Sequence, residues 1–461
     1  MRIAVLCNDT RGGIQPYVAL GVGLQRAGHE VRAVAPADFA PMFAEAGLPL
    51  APLSGSTEAA LRSATGVAAR GTIASMRFAA RELTAHIQIW TRETLAACKD
   101  VDVLTGGVGG MVIGLSVAEK LARPFIEAHL QPVGAPTDAY PGILLPGVSR
   151  RLGSFGLYLS HYLSEMALWM PFQAAMASAR QRVLRLSGRP LAANNYPVLY
   201  GFSRYVLQVP VQSDRPRHVT GYWVLPAPPT WKPSPALEVF LTRDGPVVSI
   251  GFGSMANDDP AAVTALVLGA VRKAGVRAVL LCGWGGLASL GCADDVFFAD
   301  ALPNDWLFPR VTAVVHHGGA GTTGAALRAG VPALVVPFTM DQPFWGARVA
   351  ALGAGPTPIA RARLTQERLA DSIRQTVADE RMRARAALLG VQIREENGVA
   401  EAGRSPEPRK EVATSKIGLP FWPDCSCHSR SQAFTRPNSG NTSTSNTCRH
   451  ASLKAAFASA Y

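Results

Sequence analysis

The chain has 461 residues, a formal net charge of +12 and a hydrophobic content of 48%. This length exceeds one hydrophobic core and predicts two or three domains. The basic residues are scattered singly rather than clustered, which argues against nucleic-acid binding and suits a diphosphate substrate or an anionic membrane surface.

The first half alternates strand patterns with helical patterns. The strand patterns are residues 2–7, 31–36, 101–105 and 124–128, and the helical patterns include residues 17–27 and 114–121. Such alternation is typical of parallel βαβ units. Pro16 precedes the first helical pattern and Gly28 follows it, which suits the start and the end of a helix.

A Pro-rich stretch, residues 226–235, reads as an extended linker, and the alternation then resumes. The later strand patterns are residues 247–251, 276–282, 296–298, 311–316 and 333–337. The sequence therefore predicts an α/β protein with two Rossmann-like, doubly wound parallel-sheet domains that face a cleft. The expected organisation is an amino-terminal domain 1–225, the linker 226–235, a carboxyl-terminal domain 236–403 and a tail 404–461.

The most informative segment is residues 311–323, where an apolar strand pattern runs into two histidines and a glycine-rich turn. Glycines let backbone N–H groups approach an anion closely, and the amino terminus of the following helix adds favourable charge. The expected donors are Gly318, Gly319, Ala320, Gly321 and Thr322. This segment predicts a phosphate or diphosphate site.

A second polar site follows the next strand pattern. Its exit loop carries Asp341 and Gln342, whose carboxylate and amide can each bridge two hydroxyl oxygens. A diphosphate site and a hydroxyl site at consecutive strand ends are what a nucleotide sugar requires. Phe344 and Trp345 are expected to brace this loop.

Two other kinds of site find no support. The loop at residues 8–13 lacks the G-x-G-x-x-G spacing of a dinucleotide site, and residues 106–110 have the wrong spacing as well. No Asp-x-Asp closes a strand in a suitable place, and Asp258–Asp259 and Asp294–Asp295 look like turn or helix-cap residues. We expect no metal and no further cofactor, with the nucleotide sugar as substrate.

Three segments resemble the inverting, two-domain (GT-B) glycosyltransferases of the family 1 type. They are residues 10–21, 305–323 and 341–345, and they are most similar to the sterol glucosyltransferases and the bacterial antibiotic- and lipid-modifying enzymes. The resemblance covers roughly residues 1–400. It implies transfer of a hexose from a UDP- or dTDP-sugar to the hydroxyl of an apolar acceptor, such as a lipid, sterol or polyketide-like alcohol.

The resemblance also implies roles for single residues. Gly253 and Ser254 would contact the diphosphate from the side opposite His316, which would meet a phosphate oxygen. His317 is expected to be a buried structural residue. The nucleobase is expected near Trp284, Leu302, Pro303 and Asn304.

The catalytic base is the least defined part of this site. Inversion by direct displacement needs a group that takes the acceptor's proton, and the resembled enzymes often use an Asp of the first loop in an Arg-Gly-Asp setting. Here Gly13 stands where that Asp would be. Asp9 and Asp341 are the favoured candidates, and His129 is a third.

Other functions stay open at this level. A sugar-nucleotide epimerase could share the architecture, and Gly13 would also suit a non-catalytic sugar-nucleotide-binding protein. The aromatic stretch 155–176 favours an apolar acceptor, although a plain buried helix has the same pattern. Oligomeric state is not encoded in any pattern we recognise.

Composition also predicts the compartment. The start of the chain has no signal-peptide pattern, no apolar run is long enough to span a membrane, and seven cysteines are no disulfide framework in a chain of this length. We expect a cytoplasmic protein that can contact the inner face of the membrane peripherally.

From about residue 404 the sequence becomes rich in Ser, Thr, Asn and Pro, and it predicts a disordered tail. The tail residues Cys425, Cys427, His428, Cys448 and His450 match no standard zinc finger. The resembled enzymes continue past a segment like residues 396–400 into a closing helix. We expect that helix to be missing here, through a frame change or fusion near residue 402.

Overall fold

The computed structural model describes residues 1–57, 59, 71–148, 150–188, 196–210, 215–255, 257, 259–283, 287–289 and 294–404. Trp284 and the tail after residue 404 lie outside these residues, so the predictions made for them stay predictions.

The amino-terminal half is built on a parallel sheet. Its strands are β1 (Arg2–Leu6), β2 (Glu30–Pro36), β3 (Leu50–Leu53), β4 (Val103–Gly106), β5 (Phe125–His129), β6 (Val198–Tyr200) and β7 (Arg217–Val219). Their spatial order is β3-β2-β1-β4-β5-β6-β7, and all six neighbouring pairs are parallel. The described helices of this half are α1 (Arg11–Arg26), α2 (Ala40–Glu45), α3 (Thr72–Ala97), α4 (Val108–Leu121), α5 (Gly153–Trp169) and α6 (Gln173–Ala179).

The carboxyl-terminal half repeats this design on a smaller scale. Its strands are β8 (Val247–Gly251), β9 (Arg277–Leu281), β10 (Val296–Ala299), β11 (Ala313–His316) and β12 (Ala333–Val335), in the order β10-β9-β8-β11-β12, again all parallel. Its helices are α7 (Pro235–Thr242), α8 (Pro260–Ala274), α9 (Asn304–Leu307), α10 (Ala320–Ala329), α11 (Gln342–Ala351), α12 (Gln366–Ala378), α13 (Glu380–Glu395) and α14 (Gly398–Arg404).

Single short turns of other helix types complete the described elements. They are 3-10 turns at Ala37–Phe39, Arg150–Leu152, Met170–Phe172, Phe308–Arg310 and Arg361–Arg363, and a π turn at Arg180–Leu184. The two doubly wound parallel sheets predicted from the sequence are confirmed. Within the described residues, no helix is both long and apolar enough to cross a membrane.

The end of the described chain corrects one expectation. Helix α14 crosses back onto the amino-terminal half, where Val399 packs so tightly on Gly23 of α1 that a Cβ there would meet its Cγ1 at 1.9 Å. The backbone N–H of Arg204 donates to Glu396 Oε1 at 3.2 Å and fixes the crossing. The closing element expected to be missing is therefore present in its first turns.

Candidate active site

The site lies at the two points where the strand order reverses. In the first sheet β1 lies between β2 and β4, and in the second β8 lies between β9 and β11. Loops that leave adjacent strands in opposite directions open a crevice there, which is where parallel α/β sheets bind ligands. The loop after β1 and the loops after β8 and β11 border the same crevice.

A cavity of about 1000 Å³ fills this crevice. The amino-terminal half contributes the first loop and the start of α1, with Thr10, Arg11 and Gly12. The carboxyl-terminal half contributes most of the remaining wall, including one face of α10. The Gly12 carbonyl oxygen lies 3.3 Å from the position of a Cβ on Gly321. The two halves thus meet directly over the amino end of α10.

The amino end of α10 has no side-chain cap. Its N-cap is Gly319, no acidic residue stands in its first turn, and Ala320, Gly321 and Thr322 line the cavity. Helix geometry leaves these first N–H groups without partners inside the helix. Gly318 differs from the expectation, because its N–H donates to His316 Nδ1 at 3.0 Å and is not free for a ligand.

The two histidines occupy different environments. His316 is 1% exposed, and because its Nδ1 accepts from Gly318 the neutral ring carries its proton on Nε2, which has no protein partner. His317 is only half-buried and stands between the glycine loops, 2.9 Å from a Cβ position on Gly253 and 2.6 Å from one on Gly319. Both rings line the cavity.

Desolvation by the surrounding protein favours the neutral form of both imidazoles. Desolvation, followed by the neighbouring His317, lowers the pKa of His316 to about 3, and desolvation lowers the pKa of His317 to about 4. Neither ring therefore carries a positive charge near neutral pH. Each can offer an N–H hydrogen bond to an anion, but not an ion pair.

The loop after β8 lies beside this turn, because Gly251 is in register with His316. Gly253 has a left-handed backbone with φ of 62°, which favours glycine, and both Gly253 and Ser254 line the cavity. The residues expected near the nucleobase, Leu302, Pro303 and Asn304, line the cavity too.

The two predicted sugar-binding residues in the loop after β12 make different contacts. Asp341 is half-buried and accepts from Trp345 Nε1 at 2.9 Å, and Gln131 of the other half also hydrogen-bonds to it. Gln342 is 5% exposed, and its Oε1 accepts from the N–H groups of Phe338 and Thr339 at 2.8 and 3.1 Å. Its amide oxygen therefore braces the loop and its Nε2 donates to Met255 Sδ at 3.3 Å, so a contact of Gln342 with a sugar hydroxyl stays a prediction.

The residue before Asp341 has an unusual backbone. Met340 has a φ of 56°, a left-handed conformation that costs free energy in a residue other than glycine. Its N–H donates at 3.1 Å to Thr72 Oγ1, and Thr339 Oγ1 donates to Ser75 Oγ at 3.1 Å. Thr72 and Ser75 begin α3 of the amino-terminal half, so the loop is tied across the cleft.

The three candidate bases are not equivalent. Asp9 is exposed in the loop after β1, whereas His129 is fully buried and its Nε2 lies 3.0 Å from Glu127 Oε2. A buried ring cannot reach an acceptor, so the expectation that His129 is an alternative base is wrong. Desolvation by the surrounding protein, and then the negative charge of Asp341, raise the pKa of Asp9 to about 6, although the hydrogen bond from the Thr10 N–H lowers it.

Two parallel-sheet α/β halves that face each other across a cleft are the architecture of the GT-B fold. Residues 3–137 match the glycosyltransferase family 28 N-terminal domain, and residues 286–417 match the erythromycin biosynthesis protein CIII-like C-terminal domain. The second match runs past residue 404, where we expected the tail to begin. The chain belongs to the family 1-type GT-B glycosyltransferases.

Curated relatives agree with this assignment. Sterol 3-beta-glucosyltransferases of Aspergillus clavatus and Emericella nidulans are 33% and 34% identical, over 87% and 90% of this chain but only 29% and 30% of their own lengths. The chain thus spans less than a third of these relatives.

Among solved structures, SsfS6 of Streptomyces sp. SF2575 complexed with thymidine diphosphate has a TM-score of 0.55 and 19% identity, covering 87% of this chain and 98% of its own. Spinosyn rhamnosyltransferase SpnG complexed with spinosyn aglycone has a TM-score of 0.58 and 22% identity, with coverage of 88% and 99%. These likenesses concern the fold.

Proposed function

We propose that this chain transfers a hexose from a UDP- or dTDP-sugar to the hydroxyl of an apolar acceptor, with inversion at the anomeric carbon. The observation that carries the proposal is the uncapped amino end of α10 facing the Asp9 loop across one cavity. The sterol glucosyltransferase relatives and the thymidine diphosphate bound to SsfS6 support the same substrate classes.

In this proposal the diphosphate lies on the amino end of α10. The free N–H groups of Ala320, Gly321 and Thr322 and the helix dipole stabilise its negative charge, which grows as the glycosidic bond breaks. His317 reaches the diphosphate from between the two glycine loops. His316 supports the turn through Gly318 and offers its Nε2 proton to the same anion.

Asp341 would bind the sugar. One of its oxygens is held by Trp345, which fixes the carboxylate and leaves acceptor capacity for vicinal hydroxyls. The nucleobase would pack along Leu302, Pro303 and Asn304. Because the helix terminus supplies the electrostatic stabilisation, we propose that transfer needs no metal and that EDTA leaves the rate unchanged.

The acceptor half carries an apolar face that would suit a membrane-derived acceptor. Along α5, Phe155 is 53%, Tyr162 46% and Met166 48% exposed, and Met170 just beyond is 61% exposed. We propose that this face lies on an anionic lipid surface, which the net charge of +12 would attract. Cosedimentation with phosphatidylcholine vesicles should increase when phosphatidylserine is added, and Phe155→Ser with Met166→Ser should abolish it.

The test of the function is a paired binding and turnover experiment. UDP-glucose and dTDP-glucose should raise the thermal midpoint by mass action, and one of them should glycosylate a 3β-hydroxysterol. Product analysis distinguishes a sterol glycoside from an epimerised donor. Binding without either product would indicate a non-catalytic binding protein, and turnover confined to polar sugar acceptors would contradict the apolar acceptor.

A further inference from the structure

Gly13 is the third residue of α1, and its backbone does not require a glycine. It lies within the helix and outside the left-handed region. Glycine inside a helix costs about 1 kcal/mol relative to alanine, so its presence there needs another reason. The reason is the volume that a side chain at position 13 would occupy.

A Cβ on Gly13 would collide with Asp9. The ideal Cβ position lies 2.2 Å from Asp9 Oδ2, 2.3 Å from its Cγ and 2.7 Å from its Cβ. All three distances are below any contact that real side chains make. The Asp9 side chain therefore occupies the volume into which a side chain at position 13 would project.

Local contacts hold the Asp9 carboxylate there. Its Oδ1 accepts from the N–H of Thr10, the N-cap of α1, at 2.6 Å, so the carboxylate lies at the positive end of that helix. The titratable groups that face it are Asp341 across the cleft and Tyr17 and Cys7 behind it. The next three residues, Thr10 to Gly12, line the donor cavity, and Asp9 directly precedes them in the loop after β1.

We propose that Asp9 is the catalytic base and that Gly13 exists to make room for it, so that the carboxylate expected from position 13 is supplied from position 9. This inference rests on the proposed transferase function. As the acceptor oxygen attacks the anomeric carbon, its proton passes to the Asp9 carboxylate. The bond between that carbon and the phosphate oxygen breaks, and the nucleoside diphosphate leaves with the electron pair.

Three variants test the exchange of positions. Asp9→Asn should lower kcat about 10²- to 10⁴-fold, the usual contribution of a general base, with unchanged donor affinity. Gly13→Ala should displace the carboxylate and lower kcat about tenfold or more while the helix stays intact. The double variant Asp9→Gly with Gly13→Asp returns a carboxylate to the same volume and should exceed Asp9→Asn in kcat by about tenfold or more.

The matched control is Gly403→Ala, another helical glycine, whose Cβ would meet only Ala27 Cβ at an ordinary 3.6 Å. Donor binding is followed with UDP-glucose by calorimetry and folding by thermal midpoint. If the parent binds no nucleotide sugar, the proposed function fails. If it binds and transfers, but Asp9→Asn or Gly13→Ala behaves like Gly403→Ala, the assignment of Asp9 fails. A folded, donor-binding double variant that does not recover would also overturn it.

Discussion

The two loops that face each other across the cleft place their chemistry by different means. After β11 the proposed donor side would rely on backbone N–H groups, whose geometry depends on glycines such as Gly318, with φ of 92°. After β1 the proposed acceptor side would rely on a single carboxylate, Asp9, whose side chain occupies the volume left free at Gly13. A site made of backbone N–H groups can be predicted from the glycines in the sequence. A site made of one side chain also depends on the space that the fold leaves for that side chain.

The donor side should be the more fragile to a change of backbone. Gly318→Ala puts a methyl group 2.7 Å from Val335 Cγ1 and 3.0 Å from the Gln342 carbonyl oxygen, on a left-handed backbone. We expect a loss of about 1–3 kcal/mol in the free energy of unfolding, together with loss of UDP-glucose binding. Denaturant unfolding and calorimetry measure both. Full donor affinity would show that the turn does not hold the diphosphate.

The two histidines should differ in a graded way. His317→Ala removes the ring that lies between the glycine loops, and we expect donor affinity to fall about tenfold to a hundredfold, as for a hydrogen bond to a charged group. His316→Ala should weaken the donor similarly and also lower the thermal midpoint, because the Gly318 N–H loses its partner. Unchanged affinity in both variants would remove the diphosphate assignment.

Asp341 should discriminate between sugar and nucleotide. Asp341→Ala should weaken UDP-glucose about tenfold, the effect of losing hydrogen bonds to a carboxylate, and leave UDP itself nearly unaffected. Competition binding with the two ligands measures the ratio. Equal losses for both ligands would show that this carboxylate does not touch the sugar.

The smallest expected effect is a difference in pH dependence between donor binding and turnover. Both histidines have pKa values lowered to about 3 and about 4, so they stay neutral and UDP-glucose binding should be constant between about pH 5 and 8. Asp9, with its pKa raised to about 6, must be deprotonated to accept a proton, so kcat should fall as pH falls through about 6. Asp9→Asn should lose this inflection. An unchanged inflection would assign it to another group.

The sequence predicted the main strands of both sheets but missed the short ones. β3 contains Pro52, and β7 (Arg217–Val219) is polar, so neither has a strand pattern of its own. The first helix begins at Arg11 rather than near residue 17, because tertiary packing overrides the low helix propensity of Gly12 and Gly13. Pro16 consequently lies in the second turn and has no N–H to give to the Gly12 carbonyl.

The sequence predicted the strand–turn–helix geometry of the candidate site, but it did not predict contacts that depend on a neighbouring residue. The glycines and the amino end of α10 were visible as a pattern. By contrast, no spacing reveals that Gln342 is bound by Phe338 and Thr339, or that His129 is enclosed. The collision of a Cβ at position 13 with Asp9 can be found only from side-chain positions. The sequence alone showed only that no aspartate stands at position 13.

The loop after β12, which carries Asp341, is sensitive to the distance between the two halves because Met340 in this loop has a left-handed backbone. Its N–H is satisfied by Thr72 of the opposite half, so separating the halves would break that bond while the strained torsion remained. Relaxation of the Met340 torsion would then change the conformation of the loop and move Asp341. If Asp341 binds the sugar as proposed, opening of the cleft would therefore weaken sugar binding, and water that enters an open cleft would meet a donor that is not held for reaction.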